Sequence, residues 1–113
     1  MKKVIYIFLF FCGLLSAQNE VLFDQANTLY NEGKFVEALD KYETILKGDN
    51  HSAALYFNMA NTHYKLNHIA PSIYYYEKAA AMAPNDQEIS NNMAFANNMT
   101  IDAIDTIPRN KHI

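Results

Sequence analysis

Apolar and small residues recur at steps of three and four along most of the chain. Leu22, Ala26 and Leu29 form one such series, followed by Phe35, Ala38, Tyr42 and Ile45, then Tyr56 and Ala60, then Ile69, Tyr76 and Ala79, and last Ile89, Met93 and Ala96. That spacing keeps successive side chains on one face of an α-helix. It predicts helices at about 20–32, 35–47, 53–66, 69–82 and 86–99, and so an all-α chain.

The borders between these segments have chemical causes. Gly33 ends the first helix, and "KGDN" followed by Ser52 supplies turn and N-cap residues after the second. Pro71 falls in the first turn of its helix, where a missing N–H is harmless. Pro84 follows the fourth helix, and Asn85 with Glu88 offers a cap pairing for the fifth. Residues 100–113 show no sustained period and are expected to be extended.

The helices also repeat as a set. Placing the segment from Leu22 under the segment from Tyr56 aligns them without a gap at a spacing of 34 residues. Ala26 then meets Ala60, Asn27 meets Asn61, Thr28 meets Thr62, Tyr30 meets Tyr64, Tyr42 meets Tyr76 and Glu43 meets Glu77. A further step of the same length puts Met93 and Ala94 under Met59 and Ala60.

This pattern resembles the tetratricopeptide repeat, in which two antiparallel helices recur with small and aromatic residues at fixed places. The matching positions are Leu22, Ala26, Leu29, Gly33, Phe35, Ala38, Tyr42 and Ile45, then Tyr56, Ala60, His63, Asn67, Ile69, Ser72, Tyr76, Ala79 and Pro84. Asn50 stands where a proline is usual, Asn67 where a glycine is usual and His63 where an aromatic is usual. Asn67 can adopt the left-handed turn that the glycine would supply. The resemblance implies a short right-handed solenoid: a repeat at 18–52, a second at 53–86, a capping helix at 87–99 and a tail at 100–113. Two repeats are few for such a stack, so the fifth helix is expected to close one end.

Packing alone supports the same arrangement. Ala26, Ala38, Ala60 and Ala79 allow close approach of helices, and Phe35, Tyr42, Ile69 and Tyr76 fill the space between turns. Within "YYY", Tyr76 is the ring that the repeat requires. Its neighbours step about 100° around the helix, which predicts Tyr74 over a neighbouring unit and Tyr75 toward solvent or a partner.

The first 17 residues have a different composition. Lys2 and Lys3 precede an apolar run from Val4 to Leu15, and Ala17 is a small residue suited to cleavage, so 1–17 reads as an export signal. Cys12, the single cysteine, lies within it, and cleavage would leave neither disulfide nor thiolate metal site. Losing the two lysines takes nine basic residues to seven against twelve acids, moving the formal charge from −3 to −5. That balance gives no phosphate-binding footprint, and nucleic acid is not an expected partner.

Function is expected on the face that, by the resemblance, the first helix of each hairpin turns toward a concave groove. The partner-contact residues expected there are Phe23, Asn27, Tyr30, Phe57, Asn58, Asn61, Tyr64 and Asn91, with Asn31, Lys65 and Asn92 beside them. Rings supply contact area and amides can pair with an extended peptide backbone; the plainer reading has Asn27 and Asn61 bonding within the fold. A grip on a C-terminal carboxylate, as in chaperone-binding relatives, is not expected. Asn27 and Asn58 match its amides, but Phe23, Glu88 and Asn92 stand where cations are needed.

The residues indicate no enzyme and no cofactor. The four histidines, His51, His63, His68 and His112, contain no pair at i and i+4 with a nearby acid, so no metal site is expected. No nucleophile setting and no phosphate-cradling glycine loop is present.

Residues 54–105, ending in "NMTIDAID", are also similar to the repeat proteins of the Bacteroides aerotolerance operon. That resemblance implies an exported envelope protein with von Willebrand A-type membrane proteins as partners. Such relatives continue into a membrane helix and a small β-domain, so this chain reads as a shortened form or a fragment. The expectation is a non-catalytic adaptor in the periplasm, associated with the membrane through a partner or an uncleaved N-terminus. The alternative is a structural homo-oligomer assembled through the fifth helix, where Phe95 and Met99 are hard to hide.

Overall fold

The computed structural model describes the backbone of residues 2–105 and the side chains of residues 17–100. Five α-helices follow one another: α1 (Lys2–Asn31), α2 (Phe35–Lys47), α3 (Ala53–Lys65), α4 (Ile69–Met82) and α5 (Gln87–Asp105). No strand occurs among the described residues. Two compact units divide the chain, Met1–Asn50 and His51–Ile113. In the first, α1 packs on α2; in the second, α3 packs on α4, and α4 on α5.

The first hairpin turns at Gly33, whose φ of 81° lies in the left-handed region. Its N–H donates to the carbonyl of Tyr30 at 3.0 Å, and the N–H of Lys34 reaches back to Leu29 at 2.8 Å. These crossed bonds form the Schellman closure that satisfies the last carbonyls of a helix. The second hairpin closes in the same way at Asn67, with φ of 63°. There Asn67 donates to Tyr64 at 3.0 Å and His68 to His63 at 2.8 Å. Asparagine therefore does the work expected of glycine at the corresponding position.

The four alanines expected to be small, Ala26 and Ala38 in the first unit and Ala60 and Ala79 in the second, are fully buried, and Tyr42 and Tyr76 are the largest fully buried side chains among the described residues. Phe35 and Ile69, expected to fill space with them, are only half-buried, because each is the first residue of its helix and sits beside the turn. Ser72 adds a buried link from α4 to α3, its Oγ donating to the carbonyl of Ala60 at 2.9 Å. Ser52 caps α3 by accepting the N–H of Leu55 at 3.0 Å.

Four expectations change. The N-cap of α5 is Asp86 rather than Asn85, its Oδ1 accepting from the N–H groups of Glu88 at 3.0 Å and Ile89 at 3.2 Å. A carboxylate placed there satisfies two orphan donors and favours the positive end of the helix dipole. Next, α5 runs on to Asp105 instead of stopping at residue 99. Loss of amphipathic period does not end a helix; "TIDAID" contains neither glycine nor proline, and propagation continues until something stops it. The rest of the tail, 106–113, lies outside the described residues. At the other end, α1 begins at Lys2 rather than near residue 20, so the stretch read as an export signal forms its first half. Leu and Ala are strong helix formers, and Gly13 alone does not break the run. Among the described residues, no helix is long and apolar enough to cross a membrane.

The tyrosine triplet is the fourth change. Tyr74 is 52 % exposed, with the Lys78 ammonium 5.3 Å from its ring centre. Tyr75 is instead stacked between Tyr56, 6.0 Å away with planes at 21°, and His63, 5.5 Å away with planes at 5°. The aromatic residues on α3 draw Tyr75 inward, which the rotation of α4 alone could not reveal.

Candidate functional site

Each hairpin carries the same polar latch between its two helices. In the first unit the hydroxyl of Tyr42 donates to Oδ1 of Asn27 at 2.5 Å. In the second, the hydroxyl of Tyr76 donates to Oδ1 of Asn61. Asn61 Oδ1 also accepts from Nδ2 of Asn92 at 3.1 Å, which extends the latch to α5. The aligned asparagines thus have an internal task, each accepting a hydrogen bond from a buried tyrosine on the partner helix of its hairpin.

The other expected contact residues surround these latches within each unit. In the first, Phe23 meets Tyr42 edge-on at 5.9 Å and Tyr30 meets Phe35 at 5.2 Å. Burial raises the pKa of the Tyr30 phenol above its ordinary value, so it stays a neutral donor at physiological pH. In the second, Phe57 and Tyr64 pack partly buried against the cluster of Ala60, Tyr76 and Ala96. Asn58 is half-buried, whereas Asn91 is exposed and accepts from Gln87 at 3.1 Å. The structure thus brings Phe57, Asn61 and Tyr64 together beside Asn92, while Phe23, Asn27 and Tyr30 form the equivalent patch of the first unit.

An open groove of about 470 Å³ lies on the first unit, lined by Val21, Asp24, Gln25, Thr28, Leu29 and Lys41. It contains none of the expected contact residues. Val21 is 53 % exposed, while its counterpart one repeat later, Leu55, is 2 % exposed.

Sequence reasoning missed a histidine pair. His63 Nδ1 and His68 Nδ1 lie 3.1 Å apart, with ring centres 5.4 Å apart. A search at i and i+4 passes over them because they are five apart, and the left-handed residue between them folds the chain back. The first unit has Leu29 and Lys34 at the same two positions of its turn. A similar contact occurs at the start of the second hairpin, where His51 Nδ1 and the Tyr56 hydroxyl are 2.5 Å apart. No group of three or more His, Cys, Asp or Glu side chains that could hold a metal occurs among the described residues.

Burial, and secondarily the charge of His68, lowers the pKa of His63 below its ordinary 6.5. The unfolded chain therefore binds a proton that the folded chain resists. Stability from neutral His63 is whole above 6.5 and falls as pH drops through that value toward the lower folded pKa. The urea midpoint of the wild-type chain should fall between about pH 7.5 and about pH 5, and His63→Gln should reduce that fall. An identical pH dependence in both would show that the imidazole does not govern it.

Two hairpins of the same construction, with buried alanines, buried tyrosines and tyrosine–asparagine latches at corresponding places, define a helical-hairpin repeat protein. Residues 53–86, spanning α3, α4 and the turn between them, match the tetratricopeptide repeat family. The second hairpin is thus similar to a repeat of that type, and the first repeats its buried positions. Such repeats are protein-interaction modules and typically non-catalytic, which supports a general role in binding a protein partner. A comparison with curated proteins finds no match to the chain.

Proposed function

We propose that the chain is a non-catalytic adaptor of the bacterial cell envelope, holding a segment of another protein against the first helices of its hairpins. The repeat at 53–86 is the observation that carries the protein-binding part of this reading. Phe57 and Tyr64 present half-buried rings already fixed by packing, so contact with them costs little side-chain entropy. Asn58 and Asn91 would supply adaptable hydrogen bonds. Asn61 contributes by tying α3, which carries Phe57, Asn58 and Tyr64, to α4 and α5, and Asn27 by tying α1 to α2 in the first unit.

The finer reading places the chain with BatE-type repeat proteins, exported to the periplasm and partnered by von Willebrand A-type membrane proteins. It rests on the resemblance over 54–105 and on the basic and apolar start of α1. Asn58→Arg with Asn91→Arg should abolish copurification of such a membrane protein after crosslinking in cells, with helicity unchanged by circular dichroism. An unaltered partner set would overturn the binding face, and a chain retained in the cytoplasm would overturn the envelope assignment.

A second reading has its own observation. Phe95 is 62 % and Met99 39 % exposed on α5, and two apolar side chains one turn apart suit a homo-oligomeric contact. A dimer that Phe95→Asp dissociates would favour this structural role, and a monomer independent of concentration would remove it.

A further inference from the structure

We propose that His63 and His68 form a two-nitrogen binding site for a borderline divalent transition-metal ion, copper(II) ahead of zinc(II), at the turn joining α3 to α4. The turn builds the pair. Its crossed hydrogen bonds bring the third-last helical residue beside the third residue past the helix, a place commonly filled by an apolar contact. Here both positions hold imidazoles, with Nδ1 facing Nδ1 at 3.1 Å.

That separation suits shared ligation. With metal–nitrogen bonds of about 2.0–2.1 Å, it corresponds to a nitrogen–metal–nitrogen angle of about 100°. This lies between the right angle of tetragonal copper(II) and the wider tetrahedral angle of zinc(II). Without metal, one Nδ1 donates its proton to the other. In the bound state both rings carry their proton at Nε2, so both Nδ1 lone pairs point at the ion and no net proton is released from the neutral pair.

The surroundings favour this state. Tyr75 lies flat against His63, with planes at 5°, and sets the plane of that ring. His63 is 8 % exposed, whereas His68 is exposed, so the ion enters from the solvent side. With two protein donors, water completes the coordination shell. The first hairpin has the same turn but Leu29 and Lys34 in these positions, and lacks the donors.

Calorimetric titration of the full chain with copper(II) chloride, and separately with zinc chloride, tests the site. One equivalent should bind, more tightly for copper, and should raise the thermal midpoint. His63→Gln and His68→Gln should each weaken binding by at least about tenfold, while His51→Gln leaves it unchanged. Because His68 is exposed, its variant keeps the fold, which circular dichroism can verify. Leu29→His with Lys34→His should create a second equivalent in the first hairpin. Copper binding that survives in the His63→Gln, His68→Gln double variant, or that is lost equally in His51→Gln, would overturn the proposal.

Discussion

Replacing Tyr76 by alanine is expected to destabilise the second unit by about 3–5 kcal/mol, the usual cost of deleting a buried aromatic ring. A typical domain has only about 5–15 kcal/mol of stability, so much of this unit should be unfolded. Tyr76 is 2 % exposed and packs between Ala60 and Ala96. Tyr76→Phe separates ring from hydroxyl. It removes the bond to Asn61, but that amide keeps its bond from Asn92, so the loss should be about 0.5–1.5 kcal/mol. Urea denaturation followed by circular dichroism measures both variants. Equal losses would mean that the latch, and not the ring, anchors the three helices.

Enlarging Ala60 should be nearly as damaging, for the opposite reason. The residue is fully buried, and its carbonyl receives the Ser72 hydroxyl, so α4 lies close against it. Ala60→Leu forces the helices apart and strains that hydrogen bond, with an expected loss of about 1–3 kcal/mol or more. Ala81→Leu, on an exposed position of α4, should change stability by less than about 0.5 kcal/mol. Similar midpoints for the two leucine variants would contradict the close packing of α3 on α4.

These two residues also show what the sequence makes legible. A helical period combined with a second, longer period identifies both the hairpins and their buried faces, because packing forces small and large side chains to recur together. The left-handed turn at Asn67 could be read from its alignment with Gly33. What escaped depends on contacts between elements. Tyr75 and Tyr74 are adjacent on α4, and only the rings of Tyr56 and His63 decide which is drawn inward. The aligned asparagines were visible as a pair, but whether their amides faced a ligand or the fold depended on the reach of Tyr42 and Tyr76. The two turn histidines are invisible to a search at helical spacing, since a chain reversal lies between them. At the C-terminal end of α5, a fading amphipathic pattern marks no border, because a helix end needs a chemical stop.

If the chain is cut after Ala17, as the export-signal reading holds, the continuity of α1 bears on that cut. Peptidases grip substrate backbone in extended form, yet Ala17 lies inside one uninterrupted helix from Lys2 to Asn31. Scission there requires several turns to unwind first, so the rate of trimming would report local helix opening.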